Sequence, residues 1–432
     1  MIKRFTRLAL HWQILIALVL AVAMGLWSGT ERTLLGVSWL SIYTFIGTLF
    51  LNALKMIVVP LVMAAMITGI ATIARQGGFG RLGVKTLGYY LTTSLIAILI
   101  GLALVNLLQP GAGVDNPPRL GDTAEIQQKI EGRGMGDIAL VFLRMVPPNV
   151  FEAMAQPNML GLIFFSLLFG YFMMKIDNPG RQTLEHFWQG VFDVMMKLTD
   201  WVMRFAPLGV FGLVGAAVAK TGLDAFESLG WFFLTVVLGL ATHFFVVMPL
   251  LLRFVGGVRN PWKHYRVMLP AILTAFSTSS SASTLPVTME CVEKGAGVSN
   301  RVSSFVLPLG ATVNMDGTAL YECVAALFIA QLFGVHLDFA QQFLIVVVAL
   351  LTSIGVAGIP SASLVAISII LVAVGLPGEA VGLLLVVDRL LDMMRTTVNV
   401  FSDSVGTVII ARSEGETHVL AEKTPQNGAR TA

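Results

Sequence analysis

Between Asp388 and Asp403 the chain places five formal charges in an otherwise apolar stretch, "DRLLDMMRTTVNVFSD". Asp388, Asp392, Arg395, Asn399 and Asp403 fall four, three, four and four residues apart, the spacing of one helical face, and Arg389 alone lies off that stripe. Charges within a bilayer are costly, and those found there mark substrate or ion paths. Arg395 can grip a carboxylate with two parallel hydrogen bonds, and Asp392, one turn earlier, can receive an ammonium. A cation and an anion so placed suit a zwitterion that carries an extra carboxylate. The same spacing suits a structural helix salt bridge, and the residues alone leave both readings open.

A second group lies in "VLPLGATVNMDGTALYECVAALF", residues 306–328, where Asp316 and Glu322 sit deep in an apolar run with no basic residue nearby in sequence. Asn314 and Gly317 suggest an unwound turn there. Broken helices expose main-chain carbonyls, and hard cations take oxygen ligands of that kind. Asn314 and Asp316 therefore suit a dehydrated monovalent cation, and Asp403 offers a carboxylate for another. Glu322, an acid with no paired base, is a candidate proton carrier. The plainer reading is an acid hydrogen-bonded in a packed core.

These residues need elements to hold them. The chain has 432 residues, 56% of them hydrophobic and 12% charged, with a mean hydropathy of +0.81, a composition of polytopic membrane proteins. A net charge of +3 says little about partners, among which no nucleic acid is expected, and Cys291 and Cys323 give no disulfide or metal framework. The run from Leu8 to Trp27 is long enough to span and is expected as a first helix rather than a signal peptide. Further helices are expected near 38–74, 82–109, 139–175, 189–219 and 226–252. Loops alternate in sign. Lys3, Arg4 and Arg7, then Arg75, Arg81 and Lys85, then Arg253, Arg259, Lys263 and Arg266 fall on one side, and the acidic loop Asp115–Asp137 on the other. The positive-inside rule puts the N-terminus in the cytoplasm.

Residues 267–289 and 339–378 are uncharged, but their middles read "STSSSAST" and "TSIGVAGIPSAS". A lipid-facing helix would not choose such residues. Each is expected to be a re-entrant hairpin of two half-length helices meeting at a polar tip, which survives at membrane depth only inside protein or beside water. Paired interrupted segments also mark a transporter's binding site. The alternative is a Ser-rich helix interface and an ordinary helix pair. The polar tail after Arg412 is expected to be disordered.

"NMDGTALYE" (314–322), "STSSSASTLPVTM" (277–289) and "DRLLDMMRTTVNVFSD" closely resemble the dicarboxylate/amino acid:cation symporter family, and "MVPPNVFEAM" (145–154) and "LGYYLTTS" (87–94) extend the likeness over nearly the whole chain. The resemblance implies an all-α polytopic protein of the cell inner (plasma) membrane, with cytoplasmic termini. It implies eight transmembrane helices, two re-entrant hairpins and inverted repeats, in a homotrimer whose protomers work by an elevator stroke. Residues 1–81 (helices one and two) and 139–219 (four and five) would form the trimerising scaffold. Residues 82–138 (helix three and the extracellular loop) would lie on the transport side. Residues 220–412 would form the transport domain: the sixth helix, hairpin 1 (265–294), the seventh helix (300–334), hairpin 2 (339–376) and the eighth helix (378–412). Residues 413–432 would be a cytoplasmic tail.

By the same resemblance, Asp392 binds the substrate amino group, Arg395 its side-chain carboxylate, and Asn399 faces the α-carboxylate. Thr318, Thr396, Ser280 and Ser281 line the pocket, and Val356, Ala357 and Gly358 form the gating tip. Asp403, with main-chain oxygens around Asn314 and Asn399, matches one sodium site. Ser353, Ile354 and Val356 with Thr312 and Met315 match a second, and Tyr90, Thr93, Ser94, Asn314 and Asp316 a third. Asp388 is expected to support the helix near the cation sites. The chain keeps both Arg395 and Asp392, which implies glutamate or aspartate as substrate. A C4-dicarboxylate or neutral amino acid carrier is the alternative on this fold, and a channel or receptor the alternative in another class. Glu322 implies proton co-transport beside sodium, with potassium counter-transport left open; no resident cofactor and no enzyme activity are implied. Ser279 and Met393 stand where relatives carry an extra arginine, and Ser361 and Ser363 where glycines are common in archaeal members. "GFGRLG" (78–83) follows a membrane helix rather than a strand and gives no dinucleotide site. His243, in an apolar helix, is expected as a satisfied core histidine.

Overall fold

The computed structural model describes residues 10–75, 80–112, 143, 146–155, 159–221, 224–355 and 362–420, which are helical almost throughout. In hydrocarbon every backbone amide needs a partner within its own segment, so long apolar runs become helices. The first, α1 (Leu10–Ser28), carries no charged side chain. A two-stranded ribbon follows, β1 (Thr33–Leu34) and β2 (Val37–Ser38), pairing Thr33 with Ser38 and Leu34 with Val37. Leu35 and Gly36, both at positive φ, close it as a two-residue hairpin turn requires. Then come α2 (Trp39–Arg75), α3 (Arg81–Leu108), α4 (Val150–Ala155), α5 (Met159–Met173), α6 (Gly180–Met203) and α7 (Ala206–Thr221). At 37 residues α2 is about 55 Å long, well beyond the ~30 Å hydrocarbon core.

Two expected spans differ. In place of one helix over 139–175 stand α4 and α5. Pro147 and Pro148 cannot donate to a helical ladder, and Asn149 instead starts α4, its Oδ1 accepting from the N–H groups of Phe151 (2.9 Å) and Glu152 (3.3 Å). The span expected at 189–219 begins at Gly180 and divides at Arg204–Phe205, just before Pro207. No charge-free run marks the start of this helix, because α6 carries Arg181, Glu185, Asp193, Lys197 and Asp200 along its length.

Next is α8 (Asp224–Thr242), which runs on to Val255 through π-helical turns at His243–Val247 and Leu251–Val255, on either side of Pro249. Then follow α9 (Trp262–Thr278), α10 (Ser281–Glu290), α11 (Asn300–Val313), α12 (Asp316–Leu332), α13 (Phe339–Gly355), α14 (Ala362–Ala373), a 3₁₀ segment (Gly378–Leu384) and α15 (Leu385–Ser413). Helices α9 and α10 pack on each other across a two-residue turn. Ser279 takes the left-handed conformation (φ 51°, ψ 37°), and Ser280 caps α10 by accepting the Ser283 N–H at 3.2 Å. Helices α13 and α14 also pack on each other, but 356–361, and with them Val356, Ala357 and Gly358, lie outside the described residues. Three described stretches are long and apolar enough to cross a membrane: Arg81–Leu108, Ser228–Val255 and Asn300–Leu332.

The helices group by packing. α1, α2, α5, α6 and α7 lie mostly against one another, while α3, α8, α13, α14 and α15 surround α12, with α9, α10 and α11 packed on α15. Every residue of α12 from Asp316 to Ala330 is buried, so its polar side chains look into protein on all sides. After α15 the chain turns back: Leu420 N–H donates to Ala296 O (2.9 Å), and Glu416 accepts from the Ser299 N–H (2.9 Å) and hydroxyl. The tail expected to be disordered from residue 413 is therefore tied down through Leu420, because its acids meet the polar start of α11; 421–432 lie outside the described residues.

Candidate functional site

The break between α11 and α12 opens the site. Asn314 (φ −96°, ψ 93°) and Met315 (φ −120°, ψ 56°) leave the helical region, so α12 starts anew at Asp316 with its first-turn N–H groups unspent on the ladder. Asn399 of α15 takes one of them: its Oδ1 accepts the Gly317 N–H at 2.8 Å and its Nδ2 donates to Thr318 Oγ1 at 3.2 Å. The close approach needs glycine. A Cβ at Gly317 would lie 2.8 Å from the Arg395 carbonyl oxygen and 3.0 Å from its Cα.

On one side of Asn399 the structure gathers oxygen atoms. Asn314 Nδ2 donates to Asp403 Oδ1 (2.9 Å) and Ser402 Oγ (3.1 Å). Ser94 Oγ donates to Asp316 Oδ1 (2.7 Å) and Ser402 Oγ to Asp316 Oδ2 (2.6 Å), while Thr93 Oγ1 lies 3.4 Å from Asn314 Oδ1. Tyr90 OH donates to Val306 O at 2.6 Å, and a Cβ at Gly310 would sit 2.7 Å from that hydroxyl and 2.5 Å from Asp403 Oδ1. Gly310 thus lets α3, α11 and α15 converge. Tyr90, Thr93, Ser94, Asn314, Asp316, Asn399 and Asp403 are all buried here, offering carboxylate, amide and hydroxyl oxygens of the kind a hard cation takes.

His243 is the satisfied core histidine expected, and its partner corrects the reading of Asp316. The sequence left Asp316 without a base, yet His243 Nε2 lies 3.0 Å from Asp316 Oδ2, with both side chains fully buried. The imidazole is satisfied by a site carboxylate rather than by bland core. Ser402 was also missed. Its signal was its place on the Asn399 face of α15, three residues on.

On the other side of Asn399 stands the guanidinium. Arg395, 1% exposed, donates from NH2 to Asp388 Oδ1 (3.0 Å) and Asp392 Oδ1 (3.1 Å), and from NH1 to Ser363 Oγ (2.8 Å). Its Cζ lies 3.9 Å above the Tyr321 ring, in cation–π contact. Asp388, expected near the cation sites, instead pairs with Arg395. Its position one helical turn before Asp392 puts it at the guanidinium end of the stripe, four turns from Asp403. Glu322 is separate. Its Oε2 accepts from Thr352 Oγ1 of α13 at 2.8 Å, and Oε1 has no partner among the described residues.

Other expected residues are placed but not joined to these clusters by a hydrogen bond. Thr312 and Ser353 donate to their own helices, at Leu309 O and Leu350 O (both 3.0 Å), and Ile354 lies in the last turn of α13. Met315 is buried in the unwound turn, Thr396 is buried beside Arg395 in sequence, and Ser280 and Ser281 form the α9–α10 tip.

The family model described as the sodium:dicarboxylate symporter family matches residues 10–413. A proton/sodium-glutamate symport protein of Bacillus caldotenax is 35% identical over 419 residues, covering 95% of this chain and 96% of its own. A proton/glutamate-aspartate symporter of Escherichia coli is 36% identical over 419 residues, covering 94% and 93%. Excitatory amino acid transporter 3 of Mus musculus is 36% identical over 467 residues, covering 95% and 86%.

Proposed function

We infer the function from one premise: this chain belongs to the sodium:dicarboxylate symporter family, a family of transporters and not of enzymes. It is a secondary active symporter of L-glutamate or L-aspartate, driven by sodium and by protons. The observation that carries the reading is Arg395, buried on α15 with Asp392 one turn away and Asn399 one turn beyond. Those three side chains match an acidic amino acid group for group: side-chain carboxylate, ammonium and α-carboxylate. The names of the relatives, a glutamate symport protein and a glutamate-aspartate symporter among them, support the same substrates.

In this reading Thr318, Thr396, Ser280 and Ser281 line the substrate pocket, and Val356, Ala357 and Gly358 form its gate. Sodium takes three places: Asp403 with oxygens of Asn314 and Asn399; Thr312, Met315, Ser353, Ile354 and Val356; and Tyr90, Thr93, Ser94, Asn314 and Asp316. Glu322 carries the proton. Eight spans and two re-entrant hairpins sit in the inner membrane with cytoplasmic termini. Three protomers assemble through the group α1, α2 and α4 to α7, and the group around α12 rides as the elevator, with potassium counter-transport left to experiment.

The test is uptake of labelled glutamate and aspartate into liposomes bearing the purified protein, with sodium, proton and potassium gradients imposed one at a time. Accumulation above the outside concentration under an inward sodium gradient is expected, with weak competition by succinate, which lacks the ammonium that Asp392 would receive. Equilibration without accumulation, as through a channel, would overturn the reading.

A further inference from the structure

We propose that Ser363 is a substrate-contacting, specificity-determining residue. Its hydroxyl and the Arg395 guanidinium together receive the side-chain carboxylate of the acidic amino acid. The inference rests on the function proposed above and concerns a residue which that reading leaves unused.

Arg395 spends its donors on its own protein. NH1 donates to Ser363 Oγ at 2.8 Å, NH2 is divided between Asp388 Oδ1 and Asp392 Oδ1 at 3.0 and 3.1 Å, and the buried Nε has no partner among the described residues. The Tyr321 ring under Cζ fixes the plane of the fork. A carboxylate that takes a guanidinium with both oxygens uses either the NH1–NH2 end or the Nε–NH2 side, and either way it needs NH2. Asp392 is the partner that can yield. It is the less buried of the two aspartates, and an arriving ammonium gives its carboxylate another cation to pair with. That exchange releases one NH2 hydrogen to the substrate.

The NH1 end is held by a hydroxyl, which differs from a carboxylate in one respect that matters here. A hydroxyl accepts and donates at once. Ser363 takes the NH1 hydrogen on a lone pair, and among the described residues its own hydrogen reaches no acceptor. That donor therefore lies beside the buried cation, where a carboxylate oxygen is drawn. Ser363 can donate to the substrate without leaving Arg395. Because Ser363 lies in the first turn of α14 and Arg395 stands on α15, a carboxylate bound by both ties the second hairpin's arm to the last helix. The pair also selects against amides: the NH2 end of an asparagine or glutamine side chain would meet donors with donors. Sites built on such polar complementarity reject the mismatched analogue strongly.

The experiment uses the full-length protein in proteoliposomes, with initial rates of labelled aspartate uptake and with asparagine as competitor. Ser363→Ala is expected to raise the KM for aspartate about tenfold, the worth of one hydrogen bond to a charged group, with the maximal rate within about twofold of the parent. It should also narrow the preference for aspartate over asparagine. Ser363→Thr, which keeps the hydroxyl, should hold both close to parental values. If Ser363→Ala does not fold, Ser363→Cys, similar in size but a weak donor, serves the same comparison. An unchanged KM, or equal weakening of aspartate and asparagine, would overturn the proposal and leave Ser363 a structural support of Arg395. A parent protein that accumulates no acidic amino acid would overturn the functional reading first, before any variant is compared, and this inference with it.

Discussion

Glu322 shows at the scale of one residue what the sequence could and could not say. An ionised carboxylate offers acceptors on both oxygens. Glu322 has one hydrogen bond, from Thr352, inside a helix buried all round, so the bare Oε1 is the natural seat for a proton. Glu322→Gln keeps the size and an acceptor for Thr352 and removes the titration. The variant should still take up substrate, and its uptake should no longer respond to external pH across the neutral range; a variant that tracks the parent's pH profile would sink the proton-carrier role. The isolation of Glu322 was legible because it depends on the local run of apolar neighbours. Asp316 looked equally isolated, but His243 reaches it from another helix, and nothing within one segment announces such a contact. Asp388 was misassigned for the same reason: its helical face was right, but which end of the stripe the guanidinium would claim depends on packing. Gly317 spoke only for the unwound turn and Gly310 not at all, since only the neighbouring helices show that a Cβ at either has no room.

At the scale of elements, periodicity fixed the long face of α15, and polar tips marked both interrupted segments. What escaped was where helices stop. Prolines at 147, 148 and 207 and the charged residues along α6 decide those ends, and the length of a charge-free run reflects neither. The end of α15 is held by charge. Glu414 Oε1 lies 2.5 Å from Lys85 Nζ of α3 and 3.4 Å from Arg81 Nε, and Oε2 lies 3.5 Å from Arg301 NH2 of α11. The hydrogen bond from Lys85, more than any other contact, holds the Glu414 carboxyl below its ordinary range. A carboxyl depressed in the folded protein stabilises it above the free glutamate range, and that contribution is lost as pH falls through the folded value. Both arginines are mostly exposed, so the clasp is worth no more than about 1 kcal/mol. Glu414→Gln is therefore expected to melt slightly below the parent at neutral pH, with the gap closing as the pH is lowered through the acidic range. Melting curves in detergent at several pH values measure this, and a gap that persists in acid would show the clasp is not electrostatic.

For the whole molecule the question is what the seam between the two groups of helices permits. The hydrogen bonds and ion pairs that build the site all lie within the group around α12. Across the seam, Ile369 of α14 packs against the apolar cluster of Met63, Met66 and Leu162 from α2 and α5. Apolar contact is non-directional, so one group can slide along the other and exchange one such contact for the next at little cost, whereas an interface of buried ion pairs would have to break each one. An elevator stroke needs such a seam. Cysteines placed at Ile369 and Leu162, in a chain with Cys291 and Cys323 replaced by alanine, should each leave uptake near the parent's level. Joining the two with a short thiol cross-linker should stop uptake, with little effect on aspartate binding at the exposed side of the site. If the cross-linked protein transported as fast as the unlinked one, the seam would be a fixed joint, and substrate would have to cross by rearrangement within the group around α12 alone.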